Sequence, residues 1–161
     1  MLRHLLTTRW SLRRRFPASS LAAIEAAIRS AERQHSGEIR FAVETCLDFR
    51  RLCAGTGASA RAREIFSRLG VWDTAGNNGV LIYLLLADHD IEIVPDRGLA
   101  GRVSEAEWQE VCRCMETEFR AGQFEAGALA GIRRVSVLMS RHFPATPGDR
   151  DELPDTPAIF D

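Results

Sequence analysis

The sequence predicts an α/β domain: a small mixed sheet, made of a βαβ unit plus an antiparallel hairpin, flanked by about four helices. Three observations lead there. Residues 80–87 (Val-Leu-Ile-Tyr-Leu-Leu-Leu-Ala) are the longest apolar run, fenced by the polar loop 73–79 and by Asp88-His89-Asp90. Such a run is too short to cross a membrane and too continuous for a half-exposed strand, so it suits a central strand buried on both faces. Upstream, Ile39, Phe41 and Val43 alternate with Glu38, Arg40, Ala42 and Glu44, the period of a strand with one apolar face. Helical spacing lies between these two runs. A strand, a helical crossover and a second strand make a parallel pair.

The elements follow in order. Ser19 or Ser20 can cap a helix with Leu21, Ile24, Ala27, Ile28 and Ala31 on one face, and Gly37 suits a left-handed stop. The strand at residues 38–45 follows, then an irregular stretch punctuated by Gly55 and Gly57. A second helix runs through Ala62, Ile65, Phe66 and Leu69 to Gly70. After the apolar strand, Asp88-His89-Asp90 reverses the chain into a short antiparallel strand at 91–94. Residues 95–101 form a glycine-bearing loop, with room for a short strand at 102–103. Ser104-Glu-Ala-Glu107 is a capping-box pattern. It opens a helix whose Trp108, Val111, Cys112, Met115 and Phe119 read as core. A last helix, roughly 124–141, ends before Pro144.

Composition bounds the rest. The 161 residues divide into a basic arm (1–16), an α/β domain (17–144) and an acidic, Pro-containing tail (145–161) expected to be extended. The arm carries a local charge of +5 and the tail −4, yet the formal net charge is −1, so no nucleic-acid partner is expected. Every basic residue is Arg, which excludes Lys nucleophiles, Schiff bases and Walker-A chemistry. Arg3, His4 and Arg9 interrupt the N-terminal apolar stretches, so a signal peptide is not expected. The expected location is cytoplasmic, with the arm able to reach an anionic membrane surface. Cys46, Cys53, Cys112 and Cys114 lack zinc-ligand spacing and suit a reducing compartment.

Several motifs stand in a fixed order. Ser36-Gly37-Glu38 precedes the first strand, and Asn78-Gly79-Val80-Leu81 opens the apolar one. Asp88-His89-Asp90-Ile91-Glu92-Ile93 forms the turn and return strand, followed by Gly98-Leu99. Phe119-Arg-Ala-Gly122-Gln-Phe124-Glu-Ala-Gly127 links the last helices. This ordered set, covering residues 20–143, resembles the TPM domain family. The resemblance implies an α/β sandwich, an acid phosphatase activity attributed to plant members, and a divalent metal such as calcium held by acidic residues. For other members it implies an assembly or modulator role. Two positions depart from the family pattern. Pro17-Ala18-Ser19-Ser20 stands where an Asp-rich segment is common, and Asp96 replaces one glycine of a paired-glycine loop. These departures weigh against phosphatase activity.

A metal-assisted phosphatase needs oxygen ligands converging on a hard cation, calcium or magnesium, and a nucleophile or polarised water. No organic cofactor is expected. Strand direction sorts the candidates into two sheet edges. Asp73, Asn77, Asn78 and Asp96 share one edge, with Arg97 beside them as a phosphate ligand or a local ion-pair partner. Glu44, Asp48, Asp88 and Asp90 gather at the other, where parallel strands end and α/β proteins usually bind ligands. Turn-making accounts equally for Asp73, Asn77, Asp88 and Asp90. His35, His89 and His142 lie near element ends and read as solvated. Arg51 follows Cys46 by one residue too few for a Cys-x5-Arg phosphate loop, and no Gly-x-Ser-x-Gly elbow exists. Two functions therefore stand. One is a metal-dependent phosphatase. The other, favoured because no complete catalytic set can be named, is a non-enzymatic interaction or assembly module for a protein partner or a membrane surface.

Overall fold

A computed structural model of the chain describes residues 9–55 and 57–161. The first half of the basic arm, with Arg3 and His4, lies outside the described residues. The described part has six α-helices and a mixed sheet of four strands. In chain order these are α1 (Arg9–Arg15), α2 (Ala18–Glu32), β1 (Glu38–Glu44), α3 (Phe49–Cys53), α4 (Ala58–Arg68), β2 (Gly79–Leu85), β3 (Asp90–Pro95), α5 (Glu105–Arg120), α6 (Phe124–His142) and β4 (Ala158–Phe160). A 3-10 turn, Arg97–Leu99, follows β3. The strand order is β3-β2-β1-β4. As the sequence predicts, β1 and β2 are parallel, with Glu38 opposite Gly79, and β3 returns antiparallel to β2.

Alternation along the strands divides the core into two layers. Ile39, Phe41, Val43, Val80, Ile82 and Leu84 face α1, α2, α5 and α6. Ala42, Leu81, Tyr83 and Leu85 face α4 through Ala58, Ala62 and Ile65. All of β2 is buried, which explains its unbroken apolar composition. The stripe Trp108, Val111, Met115 and Phe119 is buried as read, with Cys112 packed beside it. Ser104 and Glu107 form the capping box, the Ser104 amide donating to Glu107 Oε2 at 2.9 Å.

Several local expectations are corrected. The N-cap of α2 is Pro17, without a side-chain cap, and the serines lie inside the helix. Ser20 is buried and donates to Glu125 at 2.5 Å instead. Gly37 is not a left-handed stop. Its Cα lies in a close-packed corner, where a Cβ would meet the Met139 side chain and stand 3.1 Å from the Asn78 carbonyl. Residues 102–103 make no strand; they turn into the Ser104 cap. The polar face of β1 is not solvated, since Glu38, Arg40 and Glu44 are all buried. His35 is fully buried too.

Both ends of the described chain pack onto the domain. Helix α1 belongs to the core: Leu12 and Phe16 are buried, and the Phe16 ring packs on Phe41 and Phe124. The acidic tail does not trail away. It runs back along the open side of β1, where Ala158–Phe160 pairs in parallel with Ala42, Val43 and Glu44. A run rich in Pro and Asp gives no periodicity, so only the hydrogen bonds waiting on β1 show where it goes.

The docking of α1 predicts an asymmetry within the basic arm. Phe16→Ala should cost about 3–5 kcal/mol in urea unfolding, the usual range for a buried aromatic. Trp10, which is 69% exposed, should change stability by less than about 0.5 kcal/mol when replaced by Ala. Equal small losses for both would mean that α1 is not part of the core.

Candidate metal centre

At the edge where β1 and β2 begin, the loop 74–79 is built by its own polar groups. Thr74 Oγ1 and the Asn78 side chain bond each other, and the Asn78 amide donates to Thr74 Oγ1 at 3.1 Å. Asn78 Nδ2 donates to the Ser36 carbonyl at 2.6 Å, which ties this loop to the corner leading into β1. Asn77 adopts a left-handed φ of 49°, tolerated by Asn because its short side chain bonds locally. Its Oδ1 accepts from Arg97 Nε at 2.7 Å. Gly79 leaves space for the Val71 carbonyl, which would lie 2.1 Å from a Cβ.

The predicted site residues fall out as follows. Asn77, Asn78 and Asp96 share one edge, but each serves the loop. Asp96 Oδ1 accepts from the Arg97 amide at 2.7 Å, and its buried Oδ2 has no hydrogen-bond partner. Asp73 stands exposed in the preceding turn, and among the described residues no hydrogen bond joins it to the other three. Arg97 is engaged by Asn77. At the opposite edge the four acids are dispersed in role. Glu44 is buried and accepts from Arg61 Nε at 2.8 Å, Arg61 NH2 at 2.9 Å and Tyr83 OH at 2.6 Å. Asp48 caps α3 through the Arg51 amide. Asp88 and Asp90 are exposed in the hairpin, where His89 has a φ of 55° and packs against the Phe124 ring.

Other carboxylates converge. Glu32 at the end of α2, Glu38 at the start of β1 and Asp151 in the C-terminal segment each offer an oxygen, all within 4.8 Å of one another. Glu38 is held by the amides of Glu152 and Leu153, at 3.2 and 3.0 Å. Glu32 Oε1 accepts from the Ile39 amide at 2.7 Å. The buried Asp155 adjoins Glu32 and receives Arg29 Nε at 3.0 Å, while its other oxygen, Oδ1, has no partner. His35, with neither ring nitrogen hydrogen-bonded, lines the same opening of about 480 Å³, along with Arg29, Arg33 and Arg150. Burial pushes its pKa down.

Burial dominates the electrostatics of the cluster, and neighbouring carboxylates add to it. Burial pushes the Glu32 carboxyl up to about 9, assisted by Asp155 and Glu38 and opposed by the Ile39 amide. Burial also pushes Glu38 up to about 7, against the pull of the two tail amides. The Asp151 pKa is raised by burial and by Asp155. Such a set holds protons or a cation. Oxygen donors suit a hard ion. Oxygens sharing one calcium, at about 2.3–2.6 Å each, lie at most about 5 Å apart, and the 4.8 Å bound falls inside that span. The three carboxylates therefore fit a divalent cation, and the buried Asp155 adjoins Glu32.

Sequence reasoning missed this cluster. Glu38 is legible only as a position on the polar side of a strand, and Glu32 carries no signal of its own. Asp151 and Asp155 belong to the tail expected to be extended. The one available signal was the acidity of that tail, which says nothing about where it docks.

Two measurements follow. Arg61→Ala leaves Glu44 buried without its ion-pair partner and should cost about 3–5 kcal/mol in urea unfolding. Arg51→Ala removes an exposed partner of Glu64 and should cost less than about 1 kcal/mol. Similar losses would mean that the Glu44–Arg61 pair is not desolvated. For pH, Glu32 and Glu38 favour the proton more when folded, so their contribution is complete below the ordinary carboxylate range. It is lost as pH rises through about 7 and then about 9. In chelator-treated protein, Tm should therefore fall between about pH 5 and about pH 9.5, and less steeply in Glu32→Gln. A flat profile would mean that these carboxyls are solvated.

Comparison with known proteins agrees with the motifs. The TPM domain profile matches residues 14–138. The NMR structure of BA42 protein from the psychrophilic bacterium Bizionia argentinensis superposes with a TM-score of 0.76 at 32% identity, covering 88% of this chain and 93% of that one. The N-terminal domain of a P. gingivalis protein shares the fold, with a TM-score of 0.64 at 16% identity over 80% of this chain and 81% of that one. No curated protein matches the chain. Asp151 and Asp155 lie beyond the residues matched by the profile. The chain belongs to the TPM domain family.

Proposed function

We propose that this protein is a divalent-cation-binding TPM domain that holds an ion of calcium's size with Glu32, Glu38 and Asp151. The convergence of three carboxylate oxygens within 4.8 Å carries this reading. The unpartnered Oδ1 of Asp155 and the raised pKa values of the acids support it. A bound cation would supply the missing positive charge and act as a Lewis acid toward an oxygen ligand. The chain's own residues position the acids. The Asn78 bridge to Ser36 sets the corner before Glu38, the Ile39 amide orients Glu32, and the tail amides orient Glu38.

A second reading, phosphatase-like chemistry, draws on one further observation. Arg29, Arg33 and Arg150 line the same opening as the carboxylates, so a phosphomonoester placed there would meet guanidinium groups suited to its oxygens. The interaction-module reading needs the cation only as a structural element.

Calcium titration of chelator-treated protein tests the first reading. The amides of Ile39, Glu152 and Leu153 should shift, and Tm should rise, with about 2.7 kcal/mol of stabilisation at a hundred times Kd. Glu38→Gln and Asp151→Asn should abolish the response, while Asp88→Asn retains it. Shifts centred on Asp88 and Asp90 would move the site to the hairpin edge. Hydrolysis of p-nitrophenyl phosphate, compared between wild type and Asp151→Asn, tests the second. Equal rates would remove the phosphatase reading and leave the cation site standing.

A further inference from the structure

The C-terminal segment has a part in both the cluster and the sheet. Its Asp151 supplies an oxygen to the cluster, while the other two ligands, Glu32 and Glu38, belong to the corner between α2 and β1. Beyond Asp151 the segment runs along the outer edge of β1. The amides of Glu152 and Leu153 reach Glu38, and the Thr156 carbonyl receives Arg40 NH1 at 3.0 Å. The Phe160 carbonyl receives the Thr45 amide at 2.9 Å. Without β4, residues 42–44 would be an open strand edge, a template for another extended chain. The hold is modest: β4 pairs over Ala158–Phe160, none of which is buried. Leu153 packs against the α4 side of the sheet, and Arg68 stacks over the Phe160 ring at 5.2 Å.

Several buried polar atoms at the join lack hydrogen-bond partners, although Asp155 is paired with Arg29 and Arg40 with the Thr156 carbonyl. Asp155 is 6% exposed with Oδ1 unpartnered, His35 is 0% exposed with both ring nitrogens unpartnered, and Arg40 Nε is unpartnered. Closing the segment also brings Asp151 and Asp155 against Glu32 and Glu38. Asp155 is paired with Arg29, but among the described residues no arginine pairs with Glu32, Glu38 or the exposed Asp151, so their like charges oppose closure unless a cation is shared among them. An ion that takes ligands from both pieces of chain binds the closed form better than the open one. Closure and ion binding must then strengthen each other by the same factor.

We propose that residues 151–160 are a cation-controlled clasp. A divalent cation at Glu32, Glu38 and Asp151 closes the C-terminal strand onto β1, and loss of the ion loosens the strand and uncovers the outer edge of β1. This rests on the cation site proposed above and adds its regulation.

The test uses the full chain, calcium alone, and two readouts. The Ile39 amide shift reports the ion, through its bond to Glu32. Hydrogen exchange at the Thr45 amide reports the clasp, through its bond to Phe160. Calcium should shift Ile39 and slow Thr45 exchange by at least about fivefold, the lower end of ordinary coupling. In Asp151→Asn, Thr45 exchange should no longer respond to calcium. Leu153→Ala loosens the segment while keeping every ligand, so it should weaken calcium binding several-fold. If that variant fails to fold, Phe160→Ala serves the same purpose, since it removes the ring under Arg68 and keeps the carbonyl. An Ile39 shift with unchanged Thr45 exchange overturns the clasp and leaves the cation site intact, as does unchanged calcium affinity in a variant whose segment exchanges faster. Absence of any calcium shift overturns both.

Discussion

The structure turns on how β1 disposes of charge that it buries. Glu38, Arg40 and Glu44 lie on one strand with essentially no solvent, and a buried charge is costly unless it is paired and hydrogen-bonded. Each is answered by a different part of the chain. Arg61 on α4 and Tyr83 on β2 answer Glu44. The C-terminal segment answers Glu38 and Arg40 through its backbone. The positions of α4 and of the last residues are consequences of that strand's composition as much as of apolar packing.

The two sheet edges then acquire different characters. At the end of β1 and β2, Glu44 is satisfied by an arginine and a phenol, and Asp48 caps a short helix. At the beginning of β1, burial and then the neighbouring carboxylates raise the pKa values of Glu32, Glu38 and Asp151. The loop 74–79 supports this end from beneath. It braces the corner at Ser36 and also holds the tail, through the Ala75 amide at 3.1 Å from Glu152. Asn78, which first suggests a metal ligand, thus braces the corner that carries the carboxylate cluster, one step removed from it.

How much of this was legible depends on sequence distance. Periodicity exposes elements stabilised by their own neighbours, so the apolar β2, the amphipathic α5 and the Ser104 capping box could be read directly. Parallel and antiparallel pairing followed from connection length. The cluster was not legible, because Glu32 and Glu38 are ordinary acids until Asp151 arrives from the far end of the chain. Arg61 reads as a surface position on a helix until Glu44 is placed beneath it. Hydrophobic patterning carries no information about which buried charges will meet.

The sequence by itself determined the α/β class, the strand directions around β2 and membership of the TPM domain family, since these rest on local period and ordered motifs. Only the tertiary structure decided that the acidic tail becomes β4, that α1 joins the core, and that Glu32, Glu38 and Asp151 converge. The reason is physical: these outcomes depend on open strand edges and buried charges finding partners across long loops. Loop-closure cost grows so slowly with length that distant segments compete for them on nearly equal terms.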